Sequence, residues 1–367
     1  MLQPTRPDKT SVFAETWAIN ALNDTVLLEA VLFHASIHLD EVHSRPRSTA
    51  TFHHLGKSIH LLNGRLHCAE KATIDSTIGA VGFLGATGNI TGDTSNDTVH
   101  KIALRRLIDM RGSLQNLGWN GTLAILLSIG DLISSVISQS APGLVQPEFK
   151  DAIPSGTSRL HKEDRYNYVE FSDFREEILE LVDTISHLAG IQEIISTKSE
   201  KTAAEVMMFH QSCLSIEYRL LSMQASNSNF LVHSSTARQF STYVYQASQI
   251  AALICVNYNL RHLRPGSVIF VSLERSLAAV LANLDGISSQ VVMDTAEMEI
   301  LLWVCVVAAL TSISKDKATF LPRIWGYMEV LGYCSWPDVE RCVKCFVWAR
   351  KMQEQCSILV ADLVCVK

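Results

Sequence analysis

Apolar residues recur at helical spacing along most of this 367-residue chain. The first series follows Asn23 and Asp24, either of which can cap a helix, and consists of Leu28, Val31, Leu32, Ala35 and Leu39. Further series predict helices over 55–66, 73–87, 100–112, 120–137, 173–188, 203–223, 236–259, 268–284, 296–313, 320–331 and 336–363. Strand-like alternation is nowhere sustained between turn signals, so we expect an all-α array of about eleven or twelve helices.

The helical pattern fails between residues 141 and 170. Pro142, Gly143, Pro147 and Pro154 fall here among charged residues, which is typical of an irregular connection. The predicted segments are an N-terminal tail over 1–22, a helical half over 23–140, the connection over 141–170 and a second helical half over 171–367. The pattern leaves open whether the halves form one large domain or two packed units.

Two apolar series admit more than one interpretation. Phe174, Ile178, Leu181, Ile185 and Leu188 are spaced like a short heptad seam. A coiled-coil dimer would use such a seam, but so few repeats favour an internal helix face. The longest apolar run, 300–310, falls short of the ~20 residues that cross a bilayer. It therefore predicts a buried helix.

Composition and charge restrict the function classes. Apolar residues make up 47% of the chain and charged residues 19%, which indicates a buried core rather than disorder. The net charge of −6 provides no global basic field for nucleic-acid phosphates. The densest basic stretch, Lys101, Arg105, Arg106 and Arg111, is interpreted as a solvated face. The nine cysteines lie mostly in apolar runs, as Cys255 does, and are expected to be buried, reduced thiols.

Gly79, Gly82, Gly85 and Gly88 recur at every third position. This spacing matches neither a dinucleotide-binding loop nor a nucleotide P-loop, which needs Lys and then Ser or Thr after its last glycine. We interpret the series as a helix face whose small residues allow close backbone approach, at a cost in helix propensity.

Two pairs of side chains have spacings that metal sites also use. His34 and His38 lie one helical turn apart, with Asp40, Glu41 and His43 nearby. Cys342 and Cys345 have the spacing of a zinc knuckle but belong to an apolar helical pattern. Helical packing is the favoured interpretation of both pairs, and we nominate no catalytic, cofactor-binding or metal-ligating residue. The chain is accordingly expected not to be an enzyme and to need no cofactor.

Two stretches of the chain carry motifs in a recognisable order. The first stretch comprises 75–84, Gly92, Asp93, His100, Leu104, 110–113, 117–118, 120–123 and Asp131, and the N-terminal part of the same pattern matches 27–32, 38–39 and 59–66. The second comprises 301–303, Phe320, Gly332, Tyr333, 336–339 and 346–348. The order of these motifs resembles the fungal-specific transcription factor domain, which is the helical regulatory region usually found C-terminal to a binuclear zinc-cluster DNA-binding domain. The resemblance therefore implies an all-helical regulatory domain.

The residues that carry this resemblance are expected to serve structure. They are His100, Arg111, Gly112, Asp131, Trp303, Trp336 and Trp348. Gly112 should end a helix in a left-handed conformation, with Leu114 and Leu117 folding back onto it. We further expect Asp131 to accept a hydrogen bond from Arg111. Trp303 and Trp348 are suited to locking helices together.

The resemblance implies a transcription regulator that resides in the nucleus. Apart from the resemblance, we expect the chain in the cytoplasm. Its partners would be proteins, either the transcription machinery or an intact zinc-cluster factor, together with a small-molecule effector. A zinc cluster needs six cysteines, and the chain before Cys68 contains no cysteine. No direct DNA binding is therefore expected from this chain, and no membrane association.

Two other functions remain open. The chain could be a small-molecule-binding protein or an enzyme that uses an interhelical pocket, which polar lining residues with perturbed pKa values would favour. It could also be a scaffold, which a contiguous exposed apolar patch on a helix would favour.

Overall fold

Helices account for the whole regular structure of the described residues. The computed structural model describes residues 12–93, 97–146, 173–198, 202–227, 235–288, 290–313 and 317–366. Most of the described residues are helical, and none of them lies in a strand. The predicted all-α fold class is therefore confirmed.

The described residues fall into two units. The N-terminal unit comprises 12–146 and 202–214, and the C-terminal unit comprises 173–198 and 215–366. This division follows the predicted halves except for 202–214, which group with the N-terminal unit. Of the predicted connection, residues 141–146 are non-helical and 147–170 lie outside the described residues.

The N-terminal unit contains eight helices and the first turns of a later one. They are α1 (Val12–Leu22), α2 (Thr25–Val42), α3 (Thr49–Leu66), α4 (Ala69–Ala72), α5 (Asp75–Gly85), α6 (Gly88–Thr91), α7 (Asp97–Arg111) and α8 (Thr122–Ser138). Helix α1 corrects the predicted tail, because Trp17 stacks on Phe83 with ring centroids 4.2 Å apart and holds this segment in helical form.

The C-terminal unit is built from the remaining helices. They are α9 (Asp173–Thr197), α10 (Ala203–Asn227), α11 (Thr236–Cys255), α12 (Val268–Ser288), α13 (Thr295–Thr311), α14 (Lys317–Leu331), α15 (Trp336–Val343) and α16 (Arg350–Val366). A π-helical turn, Val256–Leu260, follows α11. The described residues thus hold more helices than predicted, partly because the segment predicted as one helix over 336–363 is broken after Val343, where Phe346 leaves the helix to stack on Trp303.

Helix α5 packs against α2, α7 and α8 in the N-terminal unit. A Cβ on Gly79 would lie 3.2 Å from the ring of Trp119, and one on Gly82 would collide with Leu127. This close approach confirms the interpretation of the glycine series as a small helix face. The series does not form one helix, since α5 ends at Gly85 and α6 begins at Gly88.

Helix α13 forms the centre of the C-terminal unit and contacts α11, α14, α15 and α16. Residues 300–311 are all buried, as predicted for this apolar run. A capping box between Asp294 and Glu297 sets the start of the helix. On α9 the side chains of Leu181 and Ile185 are buried within the protein, which confirms an internal helix face there.

Among the described residues, one segment, Trp119–Ser138, is long and apolar enough by length and composition to cross a membrane, with a mean hydropathy of 1.7. However, 61% of its apolar window is buried inside the protein. Core helices that pack on all sides have the same composition, and a single such segment is weak support for a membrane span.

A buried carboxylate joins α2 to α3. Asp40 accepts hydrogen bonds from Thr51 Oγ1 at 2.6 Å, from the Ser48 amide at 2.9 Å and from Arg45 Nε at 2.7 Å. These partners, Thr51 first among them, hold the pKa of Asp40 well below its usual range despite burial. A depressed pKa stabilises the folded state above the unfolded-state pKa, about 4 for an aspartate, and this contribution is lost as the pH falls from there.

We therefore expect Asp40→Asn to lower the stability at neutral pH and to flatten the loss of stability below about pH 4. The measurement is the urea midpoint as a function of pH, and the control is Glu41→Gln, which removes an exposed carboxylate from the same helix. If the urea midpoint of Asp40→Asn fell as steeply below pH 4 as that of the wild type, Asp40 would not be the source of the acid-dependent loss of stability.

Candidate functional site

The residues nominated from the resemblance are divided between the two units. His100, Arg111, Gly112 and Asp131 belong to the N-terminal unit, and Trp303, Trp336 and Trp348 belong to the C-terminal unit. Each is placed where it can pack, cap or brace a helix. His100, for example, lies against α5, since a Cβ placed on Gly85 would be 3.0 Å from the Cβ of His100.

Arg111 braces the end of α7 against the start of α5. Its Nη2 donates to Asp75 Oδ1 at 3.2 Å and to the carbonyl of Asn116 at 2.8 Å. Asn116 returns a hydrogen bond from Nδ2 to the carbonyl of Arg111 at 2.9 Å. The predicted pairing with Asp131 is therefore wrong. Asp75 can reach Arg111 because Gly118, whose Cβ would collide with it, leaves room for its carboxylate.

Asp131 instead holds the chain that follows α8. Its carboxylate accepts the backbone amides of Gly143 at 3.1 Å and Leu144 at 2.9 Å. Burial raises the pKa of Asp131, while the two amides and the nearby Lys101 oppose that shift. The two amides satisfy the carboxylate, so the arginine is not needed as a partner.

Gly112 ends α7 as predicted. Its φ of +96° lies in the left-handed region, which glycine adopts without the steric cost of a Cβ. Leu114 and Leu117 follow at once and are both buried in the core of the N-terminal unit. The segment after Gly112 therefore joins the core, and α8, which follows it, packs against α5.

The three nominated tryptophans of the C-terminal unit differ in environment. Trp303 is 1% exposed, stacks on Phe346 at a centroid distance of 5.2 Å and directs Nε1 to the carbonyl of Val347 at 3.5 Å. Trp348 is half-buried and donates Nε1 to Gln353 Oε1 at 2.7 Å. Trp336, also half-buried, is the first residue of α15. Trp303 is thus the one that locks helices together through burial.

The two metal-like spacings serve other contacts. Within the part of the chain that the structure describes, no three His, Cys, Asp or Glu side chains are grouped to hold a metal ion. The ring of His34 packs edge-on against Phe83 at 5.3 Å, and burial lowers the pKa of His34 to about 4. Cys342 donates its thiol to the carbonyl of Glu299 at 3.8 Å.

A cleft on the C-terminal unit combines apolar walls with polar groups. Its volume is about 270 Å³. It is lined by Phe240 of α11, by Leu284, Asp285 and Ser288 of α12, by Met293, by Met298 and Leu301 of α13, and by Arg323, Gly326, Tyr327 and Val330 of α14. Concave sites with mostly apolar lining and a few polar groups are where proteins bind small molecules, so this cleft is the candidate functional site.

Arg323 is the cationic group of the cleft. Its Nη2 pairs with Asp285, and its Nη1 donates to the carbonyl of Thr319 at 2.6 Å. Its Nε is buried and has no hydrogen-bond partner among the described residues. Pro322 precedes Arg323 inside α14 and has no amide hydrogen to continue the helical ladder.

Tyr327 lies one helical turn after Arg323 and lines the same cleft. Burial raises the pKa of its phenol, as do the neighbouring Cys305 and Asp285, while Arg323 opposes the shift. The hydroxyl therefore stays protonated at physiological pH. It can donate a hydrogen bond but cannot act as a base.

The sequence interpretation missed the cleft residues. Arg323 and Tyr327, four positions apart, are on one helix face, and Gly326 is a glycine inside that helix with no close neighbour within 4 Å of its Cβ position. An unexplained helical glycine between two polar residues was the available signal. Asp285 is 38 positions earlier, and no local pattern connects it to them.

Comparison with known proteins adds no assignment. No family model matches the chain, and no curated protein or solved structure matches it either. The resemblance to the fungal-specific transcription factor domain therefore stays a prediction, and the chemistry of the cleft becomes the basis for a functional proposal.

Proposed function

We propose that this chain is a helical regulatory domain of a transcription regulator, which responds to a small effector bound in the cleft of the C-terminal unit. It acts through protein contacts, and DNA recognition is supplied by another chain or segment. The observation that carries the proposal is the cleft, because its lining offers apolar walls and hydrogen-bond donors, and its carboxylate, Asp285, is paired with Arg323. The family resemblance supplies the regulatory context.

The alternative is a small-molecule-binding protein or an enzyme that uses the same interhelical cleft. The specific observation in its favour is the shifted pKa of Tyr327 at the cleft. A phenol that stays protonated, next to an arginine already paired with Asp285, suits binding better than proton abstraction. Of these two variants, the binding protein is therefore better supported than the enzyme.

A reporter assay tests the proposed function. The full chain is fused to a sequence-specific DNA-binding domain and expressed in fungal cells, and transcription from a cognate reporter is measured. We expect the fusion to change transcription by about fivefold or more, the lower range of allosteric coupling. We expect Gly326→Phe, which places a large side chain at the cleft, to remove most of that change.

The matched control is Gly190→Phe. Gly190 also lies inside a helix of the C-terminal unit and also has no atom within 4 Å of its Cβ position, but it does not line the cleft. This variant should keep the response of the wild type. A fusion that is expressed at a normal level but leaves the reporter unchanged would refute the regulatory role.

A further inference from the structure

We infer that the cleft takes an uncharged, largely apolar small molecule that carries a hydrogen-bond acceptor, such as a carbonyl oxygen, and that the acceptor binds beside Arg323. The inference deepens the proposed function and takes its biological meaning from it. The binding test below, however, uses the purified protein and stands without the reporter.

The apolar part of the ligand follows from the walls. Phe240, Leu284 and Leu301 are buried side chains from three different helices that converge on the cleft. Met298 adds a flexible, polarisable side chain that adapts to the shape of an apolar partner. Burying an apolar ring against these side chains removes apolar surface of both partners from water, which favours binding.

The absence of net charge on the ligand follows from the ion pair. Arg323 and Asp285 neutralise each other, so a ligand at this edge meets a cation and an anion together. An anionic ligand would have to displace Asp285, and a cationic one would be repelled by Arg323. A neutral ligand leaves the pair intact.

The acceptor on the ligand follows from the donors around the pair. The guanidinium carries five N–H groups, and Asp285 and Thr319 account for one hydrogen bond each. Tyr327 adds a phenol that lines the same cleft and stays protonated. The polar edge is therefore rich in donors, and a carbonyl or ether oxygen is the complementary group.

The size of the cleft sets the size of the ligand. A volume of about 270 Å³ is roughly nine times the share of one water molecule in the liquid. A fused two-ring aromatic with a short substituent fits this space. Drug-sized sites begin at about 300 Å³, so the ligand is a small one.

The experiment compares three probes that share one ring system. They are a naphthyl methyl ketone, naphthoate and naphthylmethylammonium, and their dissociation constants for the full chain are measured by calorimetry or by ligand-observed NMR. We expect the ketone to bind about tenfold more tightly than either charged probe, since each charged probe leaves one group of the ion pair unmatched.

Two variants assign the binding to the cleft. Gly326→Phe should weaken binding of the ketone about tenfold or more, while Gly190→Phe should leave it unchanged. Asp285→Asn removes the anion beside Arg323 and should reverse the selectivity, so that naphthoate binds more tightly than the ketone. Asp285 has 57% of its side chain exposed, so this substitution should not compromise folding.

Three results would overturn the inference. They are the failure of all three probes to bind, tighter binding of a charged probe to the wild type, and ketone binding that Gly326→Phe does not weaken. The inference and the proposed function fail separately. If the ketone binds selectively but the reporter does not respond, the ligand class stands and the regulatory role fails. If the reporter responds but the ketone does not bind selectively, the regulatory role stands and the ligand class fails.

Discussion

We expect Glu217→Gln to lower the free energy of unfolding by about 3–5 kcal/mol, the usual loss when one partner of a buried ion pair is removed. Glu217 and Arg261 have only 4% and 2% of their side chains exposed, and Arg261 Nε lies 3.0 Å from Glu217 Oε1. The substitution leaves a buried guanidinium without its carboxylate. Urea denaturation followed by circular dichroism measures the change.

The control is an ion pair of the same type at the surface of the same unit. Arg350 and Glu354 are 79% and 60% exposed, so Glu354→Gln should change stability by less than about 0.5 kcal/mol. Replacing Glu217 and Arg261 together by apolar residues should recover much of the loss, because neither member of the pair is then left as a buried charge without the other. Equal losses in Glu217→Gln and Glu354→Gln would show that burial of the pair does not matter.

Local chemistry explains what could be predicted from the sequence. The cap at Asp24, which accepts the amides of Val26 and Leu27, depends on residues at most three positions apart. The left-handed Gly112 and the buried face of α9 are likewise encoded within a few turns of chain. These features fix the fold class, and long periodic segments predict helices independently of their tertiary neighbours.

Pairings between distant residues could not be predicted in the same way. Arg111 has acidic candidates at several sequence distances, and its choice of Asp75 depends on the space that Gly118 leaves. The ion pair between Arg323 and Asp285 depends on how α12 and α14 pack, which no spacing within either helix reveals. The candidate site was missed for this reason, although both helices that carry it were predicted.

The second large effect concerns the aromatic side chain at the centre of the C-terminal unit. We expect Trp303→Ala to lower the free energy of unfolding by about 3–5 kcal/mol, the range for removing a large buried aromatic residue. The loss combines the buried apolar surface, the stack on Phe346 and the cavity left between α13 and the turn after α15. Urea denaturation of the full chain gives the value.

Trp348→Ala is the matched control, because it removes the same type of side chain from a half-buried position in the segment after α15. Its cost should be smaller, about 1–2 kcal/mol, since surrounding water fills the space and no closed cavity remains. Both tryptophans belong to the pattern that resembles the regulatory family, so the resemblance predicts no difference between them. A clear difference would mean that burial, rather than membership of the pattern, determines how much each residue stabilises the fold, and equal losses would contradict the packing described for Trp303.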